Sequence, residues 1–328
     1  MAATVVLSIL GGLALLIVGG ELLVRGAVQT AARLGVSPLV IGLTLVGFGT
    51  STPELVTSVQ AALSGSPGIA FGNIVGSNIA NILLILGTAA VLTPILVTAN
   101  ALRRDSAVMV GAAILFAVIA ALMPLGRLVG AIFVAGLAGY IFLAFRQERQ
   151  HDGADHGAIY DKSLAAQNVD PGLIPVSAPQ RPIAVSLLIA LAGLALVVLG
   201  GYFLVGGAVG LARSMGISET VIGLTIVAVG TSMPELVTSV MAALRKETDV
   251  AFGNIVGSNI YNTLGIGGMT ALLSPTQVPA ELVRSDNLVM VAVSLILVVF
   301  AYTGMRISRR EGALLVVAYV GYIAWLWP

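Results

Sequence analysis

The sequence predicts an all-α integral membrane protein with ten transmembrane helices, in two inverted-topology five-helix repeats with interrupted helices at the membrane midplane. Hydrophobic residues make up 58% of its 328 positions and charged residues only 9%, with a mean hydropathy of +1.03. A soluble fold of this size needs more polar surface, so the composition indicates a membrane protein. The chain also repeats itself, because the stretch FGNIVGSNI at 71–79 returns unchanged at 252–260.

Ten apolar stretches are long enough to cross a bilayer, which takes about 20 residues in a helix. Their apolar runs are continuous rather than alternating, so they predict helices and not the strands of a barrel. They lie near residues 4–32, 38–63, 69–93, 106–123, 128–145, 183–212, 219–244, 251–273, 287–303 and 312–327.

The duplication divides the chain into two similar halves. Adding 181 to a position in the first half reaches its counterpart in the second, as when IGLT at 41–44 returns at 222–225. The stretch between the halves is polar, so we predict a solvent-exposed linker with no regulatory domain. The predicted parts are a first repeat at 1–145, a linker at 146–182 and a second repeat at 183–328, with the strongest motifs at 47–81 and 228–262.

Each half holds five predicted spans, and an odd number places the second half upside down relative to the first. The basic residues test this topology. If 146–182 is cytoplasmic, thirteen of the 16 Lys and Arg residues lie on or near the inside, a strong positive-inside bias. We therefore expect a multi-pass protein of the plasma (inner) membrane, with both termini extracellular or periplasmic. Inverted repeats with interrupted helices are typical of secondary transporters.

A proline followed by a glutamate interrupts the second span of each repeat. The two copies read GTSTPELVTS at 49–58 and GTSMPELVTS at 230–239. Pro53 removes a helical hydrogen bond, so the span should break into two half-helices. Glu54 then lies where the positive end of a half-helix favours a carboxylate. Because an acidic side chain inside a membrane is costly and usually functional, Glu54 and its counterpart Glu235 are candidate site residues.

Hydroxyl and amide groups surround these glutamates in the predicted fold. Ser51 or Thr52 is expected to cap the second half-helix. The third span of each repeat carries polar residues spaced by four, which share one helix face; they are Asn73, Ser77 and Asn81, then Asn254, Ser258 and Asn262. Oxygen-only ligation suits a hard cation such as Ca²⁺. No His or Cys lies in any predicted span, which argues against zinc or copper.

These motifs carry a resemblance to a known family. GTSTPELVTS followed by GNIVGSNIAN, and GTSMPELVTS followed by GNIVGSNIYN, resemble the two α-repeats of the cation/calcium exchanger superfamily, and most closely its prokaryotic sodium/calcium exchangers. The resemblance implies antiport of Ca²⁺ against Na⁺ by alternating access. It implies a calcium site formed by the Glu54 and Glu235 carboxylates with the carbonyls of Thr50 and Thr231. The implied sodium ligands are Ser51, Ser77, Ser232, Ser258, Asn81 and Asn262. Potassium-dependent members of the superfamily use an acidic residue at this place in the motif. Because positions 81 and 262 are both Asn here, the resemblance does not imply co-transport of K⁺.

Other functions remain open from the residues alone. A proton/calcium antiporter fits the same carboxylates, while a cation channel and an intramembrane aspartic-type protease would use them differently. We expect neither enzyme activity nor a cofactor, and the sequence indicates no nucleic-acid or protein partner. The expected substrates are Ca²⁺ and Na⁺, and the expected surroundings are the lipid bilayer. Glu21 and Arg25 predict a helical ion pair or, for Glu21, a cytoplasmic entry path. The acidic and histidine residues at 151–156 predict a solvated linker segment or, as an alternative, a metal site.

Overall fold

The structure is a computed structural model that describes residues 2–99, 101–149, 156–175 and 182–327. It is almost entirely helical, as the sequence predicts. The helices are α1 Ala2–Arg33, α2 Pro38–Gly49, α3 Thr52–Leu63, α4 Pro67–Leu92, α5 Ala101–Leu122, α6 Arg127–Glu148, α7 Ala158–Val169, α8 Ile183–Met215, α9 Glu219–Thr231, α10 Met233–Leu244, α11 248–273, α12 Leu282–Tyr302 and α13 Arg309–Leu326. Two short strands, β1 Ile95–Leu96 and β2 Arg306–Ile307, pair in antiparallel fashion.

All ten predicted stretches are helical, but not all of them qualify as spans by length and composition. In the described part of the chain, 6 single helices qualify, and the two bent pairs raise the total to 8. Helix α13 falls short because Arg309, Arg310 and Glu311 stand at its start. Helix α11 carries several polar residues that lower its hydropathy. The chain is therefore a multi-pass helical membrane protein, and its finer topology belongs to the proposal below.

The predicted breaks at the two proline-glutamate motifs are present. Helices α2 and α3 meet at an angle of 53°, and helices α9 and α10 at 49°. The breaks fall at Thr50–Ser51 and at Ser232. Each broken span also contains a wider π-helical turn, at Gly42–Val46 and at Gly223–Val227. Such turns are rare and often mark functional sites, and here they occur at equivalent positions of the two repeats.

The first helices of the two repeats pack closely and run in opposite directions. A Cβ added to Gly12 would lie 2.6 Å from the backbone nitrogen of Leu204, and one added to Gly26 would lie 2.5 Å from that of Ala190. As residue numbers rise along α1 they fall along α8, so the pair is antiparallel. Glycine at these positions lets the two backbones approach without a side chain between them.

Loop ends also join one repeat to the other. Ile95 follows α4 and pairs with Ile307, which precedes α13. An isolated bridge joins Leu125, which precedes α6, to Thr276, which follows α11. The end of the third predicted span of each repeat thus meets the start of the fifth span of the other. Two equivalent connections of this kind fit a molecule built from two related halves.

The prediction of a solvent-exposed linker is wrong for part of the segment at 146–182. Residues 158–169 form helix α7, and the side chains of Ala158, Ile159, Lys162 and Ala165 are buried in the protein. A turn of 3₁₀ helix follows at Pro171–Leu173. Composition indicated solvent because it counts charges, whereas burial depends on the partners that those charges meet in the fold. Residues 150–155 and 176–181 lie outside the described residues.

Candidate functional site

Glu54 is held at the start of α3, deep in the protein. Thr52 begins the helix, Pro53 follows and Glu54 comes third, so its carboxylate lies in the first turn. Only 1% of Glu54 is exposed. Its Oε1 accepts a hydrogen bond from the Ser232 hydroxyl at 3.0 Å, whereas its Oε2 has no hydrogen-bond partner among the described residues. A buried carboxylate oxygen without a donor is unusual in a folded protein and has the chemistry of a cation ligand.

Glu235 repeats this arrangement from the other half of the molecule. It lies in the first turn of α10, and it is also 1% exposed. Its Oε1 accepts a hydrogen bond from Ser51 Oγ at 3.3 Å, and its Oε2 likewise has no partner within the described ranges. The serine of each repeat therefore contacts the glutamate of the other repeat. This crossed contact brings both motifs to one place.

The serines have a different role from the helix cap that the sequence suggested for Ser51 or Thr52. Ser51 occupies the cap position of α3, but its side chain makes no capping bond, since the hydroxyl turns to Glu235. Ser77 joins the opposite half of the site, with its hydroxyl 3.0 Å from that of Ser232. The prediction of a cap is wrong because the partner of Ser51 lies 184 positions away, beyond the reach of local patterns.

Two asparagines brace the broken helices. Asn73 Nδ2 donates to the backbone carbonyl of Glu54 at 3.2 Å, and its Oδ1 accepts from the Thr231 hydroxyl at 2.9 Å. Asn254 Nδ2 donates to the Glu235 carbonyl at 3.4 Å and to Ser239 Oγ at 2.7 Å. Each asparagine therefore fixes the first turn of the half-helix that carries a glutamate, and these contacts position both carboxylates.

The asparagines at 81 and 262 form no hydrogen bond with either glutamate among the described residues. Asn81 Nδ2 donates to Asn259 Oδ1 at 3.0 Å, which ties α4 to α11. Asn262 is 1% exposed, and neither its side-chain oxygen nor its nitrogen has a hydrogen-bond partner within the described chain. Their place among the cation ligands therefore stays a prediction. The unpaired amide of Asn262 is a polar group that a bound ion or water could satisfy.

Lys162 lies at the candidate site, although the sequence pattern did not reveal it. It lies on α7, and its side chain is fully buried beside Glu235. Its Nζ donates to Thr50 Oγ1 at 2.6 Å, to Ser258 Oγ at 2.5 Å and to Glu235 Oε1 at 3.1 Å. Those three acceptors are all predicted cation ligands. The sequence shows a lysine between an aspartate and a serine in the helix-compatible stretch AIYDKSLAAQNV at 158–169, and this pattern is too common to be diagnostic.

The site as a whole combines two carboxylates with neutral oxygens and one ammonium. No group of three or more His, Cys, Asp and Glu side chains gathers anywhere in the described part of the chain. Hydroxyl, amide and carboxylate oxygens are ligands for hard cations. A dication needs about two negative charges nearby for neutrality, and Glu54 and Glu235 provide them. The donor set therefore fits Ca²⁺ or Na⁺ as cargo.

A cavity of about 380 Å³ adjoins the site and reaches Thr50, Pro53 and Pro234. Glu21 and Arg25 also line this cavity. They form the predicted helical ion pair, and Arg25 Nε also donates to Asp170 Oδ2 at 2.6 Å. The ion pair is therefore confirmed, while an entry path past Glu21 stays a prediction.

Most residues of the alternative metal site in the linker lie outside the part of the chain that the structure describes. His151, Asp152 and Asp155 lie outside the described residues. His156 Nδ1 lies 2.9 Å from Glu148 Oε2, and its ring stacks on Tyr160 with centroids 4.2 Å apart. These contacts account for His156 as a residue that holds the start of α7 in place.

The sequence and fold of the chain are similar to those of a known family of membrane proteins. The profile of the sodium/calcium exchanger protein family matches residues 4–146 and 185–327. The putative antiporter CaxA of Alkalimonas amylolytica is 37% identical over 317 residues, covering 96% of each chain. The sodium/calcium exchanger MaX1 of Methanosarcina acetivorans is 37% identical over 338 residues, covering 97% of each. The structure of the sodium-calcium exchanger NCX_Mj covers 99% of both chains at 32% identity, with a TM-score of 0.61.

These findings agree with the expectations from the motifs. The relatives are named as exchangers and as an antiporter, not as enzymes, which confirms that the protein is a transporter rather than a hydrolase. The family profile covers both halves of the chain, and the two relatives match 96% and 97% of the chain. The chain belongs to the sodium/calcium exchanger protein family.

Proposed function

We propose that the protein is a secondary active antiporter that exchanges Ca²⁺ for Na⁺ by alternating access, and that the exchange is electrogenic. The observation that carries this proposal is the crossed pair of buried glutamates. Glu54 and Glu235 each keep one carboxylate oxygen without a hydrogen bond in the described chain. Two such oxygens, delivered from opposite repeats to one place, suit a cation that is bound by both halves and released as they move apart.

The roles within the site follow the crossed geometry. Ca²⁺ binds between the Glu54 and Glu235 carboxylates, with the carbonyls of Thr50 and Thr231 as further ligands. Sodium ions bind beside it, where hydroxyls and amides outnumber charges; the sodium ligands are Ser51, Ser77, Ser232, Ser258, Asn81 and Asn262. With only two carboxylates, the Ca²⁺-loaded centre is about neutral, whereas three Na⁺ would leave it positive.

In the proposed membrane topology, the second repeat is inverted relative to the first. We place ten transmembrane helices in two five-helix repeats, 1–145 and 183–328, with 146–182 on the cytoplasmic side and both termini outside the inner membrane. The antiparallel packing of α1 against α8 supports the inversion, because first helices of inverted repeats must run in opposite directions. The bias of basic residues supports the orientation.

The driving ion separates this proposal from its nearest rival, a proton/calcium antiporter. Hydroxyl-rich flanks favour Na⁺, since a proton needs only the carboxylates. The test is ⁴⁵Ca²⁺ uptake into proteoliposomes loaded with Na⁺, K⁺ or acid, one at a time, with Glu54→Gln as the inactive control. Uptake driven by Na⁺ alone supports the proposal. Uptake driven equally by a proton gradient without Na⁺ would establish the rival, and channel activity would appear as flux without a counter-ion.

A further inference from the structure

The second repeat carries a glycine groove that helix α7 fills. Gly253 and Gly257 lie on one face of α11. A Cβ added to Gly257 would lie 3.0 Å from the carbonyl oxygen of Ala158 and 3.4 Å from Cβ of Lys162. Glycine here admits the backbone of α7, so α7 is seated in the groove rather than resting on the surface.

The first repeat has the same groove with a different occupant. Gly72 and Gly76 are the counterparts of Gly253 and Gly257, and they receive helix α9 of the other repeat. A Cβ on Gly76 would lie 2.7 Å from Cα of Leu224, and a Cβ on Gly223 would lie 2.9 Å from the carbonyl oxygen of Gly68. The groove of the first repeat is thus closed by the broken span of the second.

By the pseudo-symmetry of the chain, α2 should close the second groove as α9 closes the first. Instead α7 lies between α2 and the glycine groove of α11, although the two helices meet farther along α11, where the Tyr261 hydroxyl donates to the carbonyl of Leu43 at 2.9 Å. A Cβ on Gly42, the counterpart of Gly223, would meet the Ser163 hydroxyl of α7 at 2.9 Å. Helix α7 therefore occupies the place of α2 in the groove at Gly253 and Gly257 and keeps α2 out of that part of the cleft.

Lys162 carries a positive charge into this cleft. A buried ammonium is costly unless acceptors surround it, and its three acceptors are Thr50, Glu235 and Ser258. An ammonium is a compact monovalent charge. It therefore occupies the half-site at Glu235 as a tethered cation would.

Contacts at both ends hold α7 in the cleft. At its start, the Ala158 amide donates to Asp105 Oδ2 at 2.8 Å. The positive N-terminal end of a helix favours a carboxylate at this position. At its end, Asn168 bonds Glu247 at the start of α11. Beyond the helix, Asp170 pairs with Arg25 of α1. The contacts of Asn168 and Asp170 join partly exposed groups, so they hold the end of the helix only weakly. The bond between Ala158 and Asp105 is buried and anchors its start.

From this arrangement we propose that α7 is an autoinhibitory plug whose Lys162 ammonium competes with the transported cations for the Glu235 half-site. The proposal rests on the proposed function, since it takes the glutamate pair as the transport site. While α7 is seated, α2 cannot close on α11 and the site cannot change sides. Transport requires α7 to leave, and a cation that binds Glu235 favours its departure.

The size of the effect depends on how much of the protein is plugged. The apparent affinity of a ligand falls by the fraction of molecules that can bind it. If about nine tenths of the molecules hold α7 in the cleft, the half-saturating Ca²⁺ concentration rises about tenfold. Removing the ammonium while keeping the length of the side chain should recover much of that factor.

The first test is transport by Lys162→Met, with Lys246→Met as its matched control. Lys246 is the other lysine of the chain and is exposed. In Na⁺-loaded proteoliposomes, Lys162→Met should lower the half-saturating Ca²⁺ concentration by about threefold to tenfold, and Lys246→Met should match the unmodified protein. A half-saturating Ca²⁺ concentration for Lys162→Met that equals or exceeds that of the unmodified protein would overturn the plug.

The second test reads the position of α7 without transport. The chain has no cysteine, so Ser163→Cys introduces a single thiol on the buried face and Val169→Cys a thiol at an exposed position. Maleimide should label Ser163→Cys slowly without Na⁺ or Ca²⁺, and faster when either ion is added or when Lys162→Met is combined with it. Val169→Cys should react quickly throughout.

The two tests keep the plug separate from the proposed exchange. Equal labelling of both thiols in every condition would show that α7 is not seated, and would overturn the plug even if exchange is active. Faster labelling of Ser163→Cys with Na⁺, without Ca²⁺ uptake by any variant, would support the plug and reject calcium as the cargo.

Discussion

The two half-sites have the same sequence motif but different neighbours. Glu54 accepts a hydrogen bond from the neutral hydroxyl of Ser232, which also contacts Ser77. Glu235 accepts from Ser51 and from the charged Nζ of Lys162. One carboxylate thus has only neutral neighbours among these contacts, while the other is paired with a cation. The duplicated motif thus gives both half-sites the same carboxylate and serine, whereas the unduplicated segment at 146–182 places an ammonium at one of them.

The largest expected effect comes from removing either carboxylate charge. Glu54→Gln and Glu235→Gln should each lower Ca²⁺ uptake by about 10²-fold or more, because losing one charged partner of a buried ion costs several kcal/mol. The measurement is ⁴⁵Ca²⁺ uptake, with size-exclusion profiles to show that both variants fold. Near-normal uptake by one variant would mean that the two half-sites do not bind the ion together.

Twin glycine substitutions should separate the two grooves. Gly76→Ala places a Cβ 2.5 Å from the carbonyl oxygen of Leu224, and backbone there cannot yield, so overpacking should destabilise the protein by about 1–3 kcal/mol. Gly257→Ala meets only the looser contact with α7, so it should weaken the plug and raise Ca²⁺ uptake. Thermal unfolding and uptake, measured on both variants, check this contrast. Equal loss of stability in both would refute it.

The paired serines should sharpen the assignment of sodium ligands. Ser77→Ala and Ser258→Ala should each raise the half-saturating Na⁺ concentration several-fold, since a lost hydrogen-bonding ligand costs about 1 kcal/mol or somewhat more. Ser258→Ala should also loosen Lys162, so the loss of Na⁺ affinity should be partly offset in that variant. Na⁺-dependence curves for Ca²⁺ uptake provide the comparison. Unchanged curves for both would remove these serines from the site.

The smallest effect should come from the contact beyond the end of α7. Arg25→Gln removes the pair with Asp170, in which Arg25 is 38% exposed. Exposed ion pairs contribute about 0–1 kcal/mol, so labelling of Ser163→Cys should speed up by no more than about fivefold. A larger change than that of Lys162→Met would mean that this contact, and not the ammonium, holds the plug.

The parts of the fold that depend on local chemistry could be predicted from the sequence. Pro53 lacks an amide hydrogen, so the break before α3 and the place of Glu54 in its first turn follow from short-range rules. The repeat then supplied the same inference for Glu235. Burial of both glutamates was likewise expected, because they stand within long apolar stretches.

What could not be predicted depends on contacts between distant residues. The Ser51 hydroxyl leaves its cap position for a carboxylate of the other repeat, and no local pattern encodes that choice. Lys162 is buried because Glu235, Ser258 and Thr50 meet in space beside a glycine groove. The polar composition of 146–182 gave no sign of this, since a charge is costly to bury only when it lacks partners.

In our proposal, sodium drives calcium through this pair of glutamates with net movement of charge. The most direct measurement is ⁴⁵Ca²⁺ uptake into Na⁺-loaded proteoliposomes whose membrane potential is clamped with K⁺ and valinomycin. One net charge moved across 100 mV is worth about 2.3 kcal/mol, so an inside-positive potential should speed uptake and an inside-negative one should slow it. An uptake rate that is the same at every potential, and that a proton gradient supports equally well without Na⁺, would contradict the account.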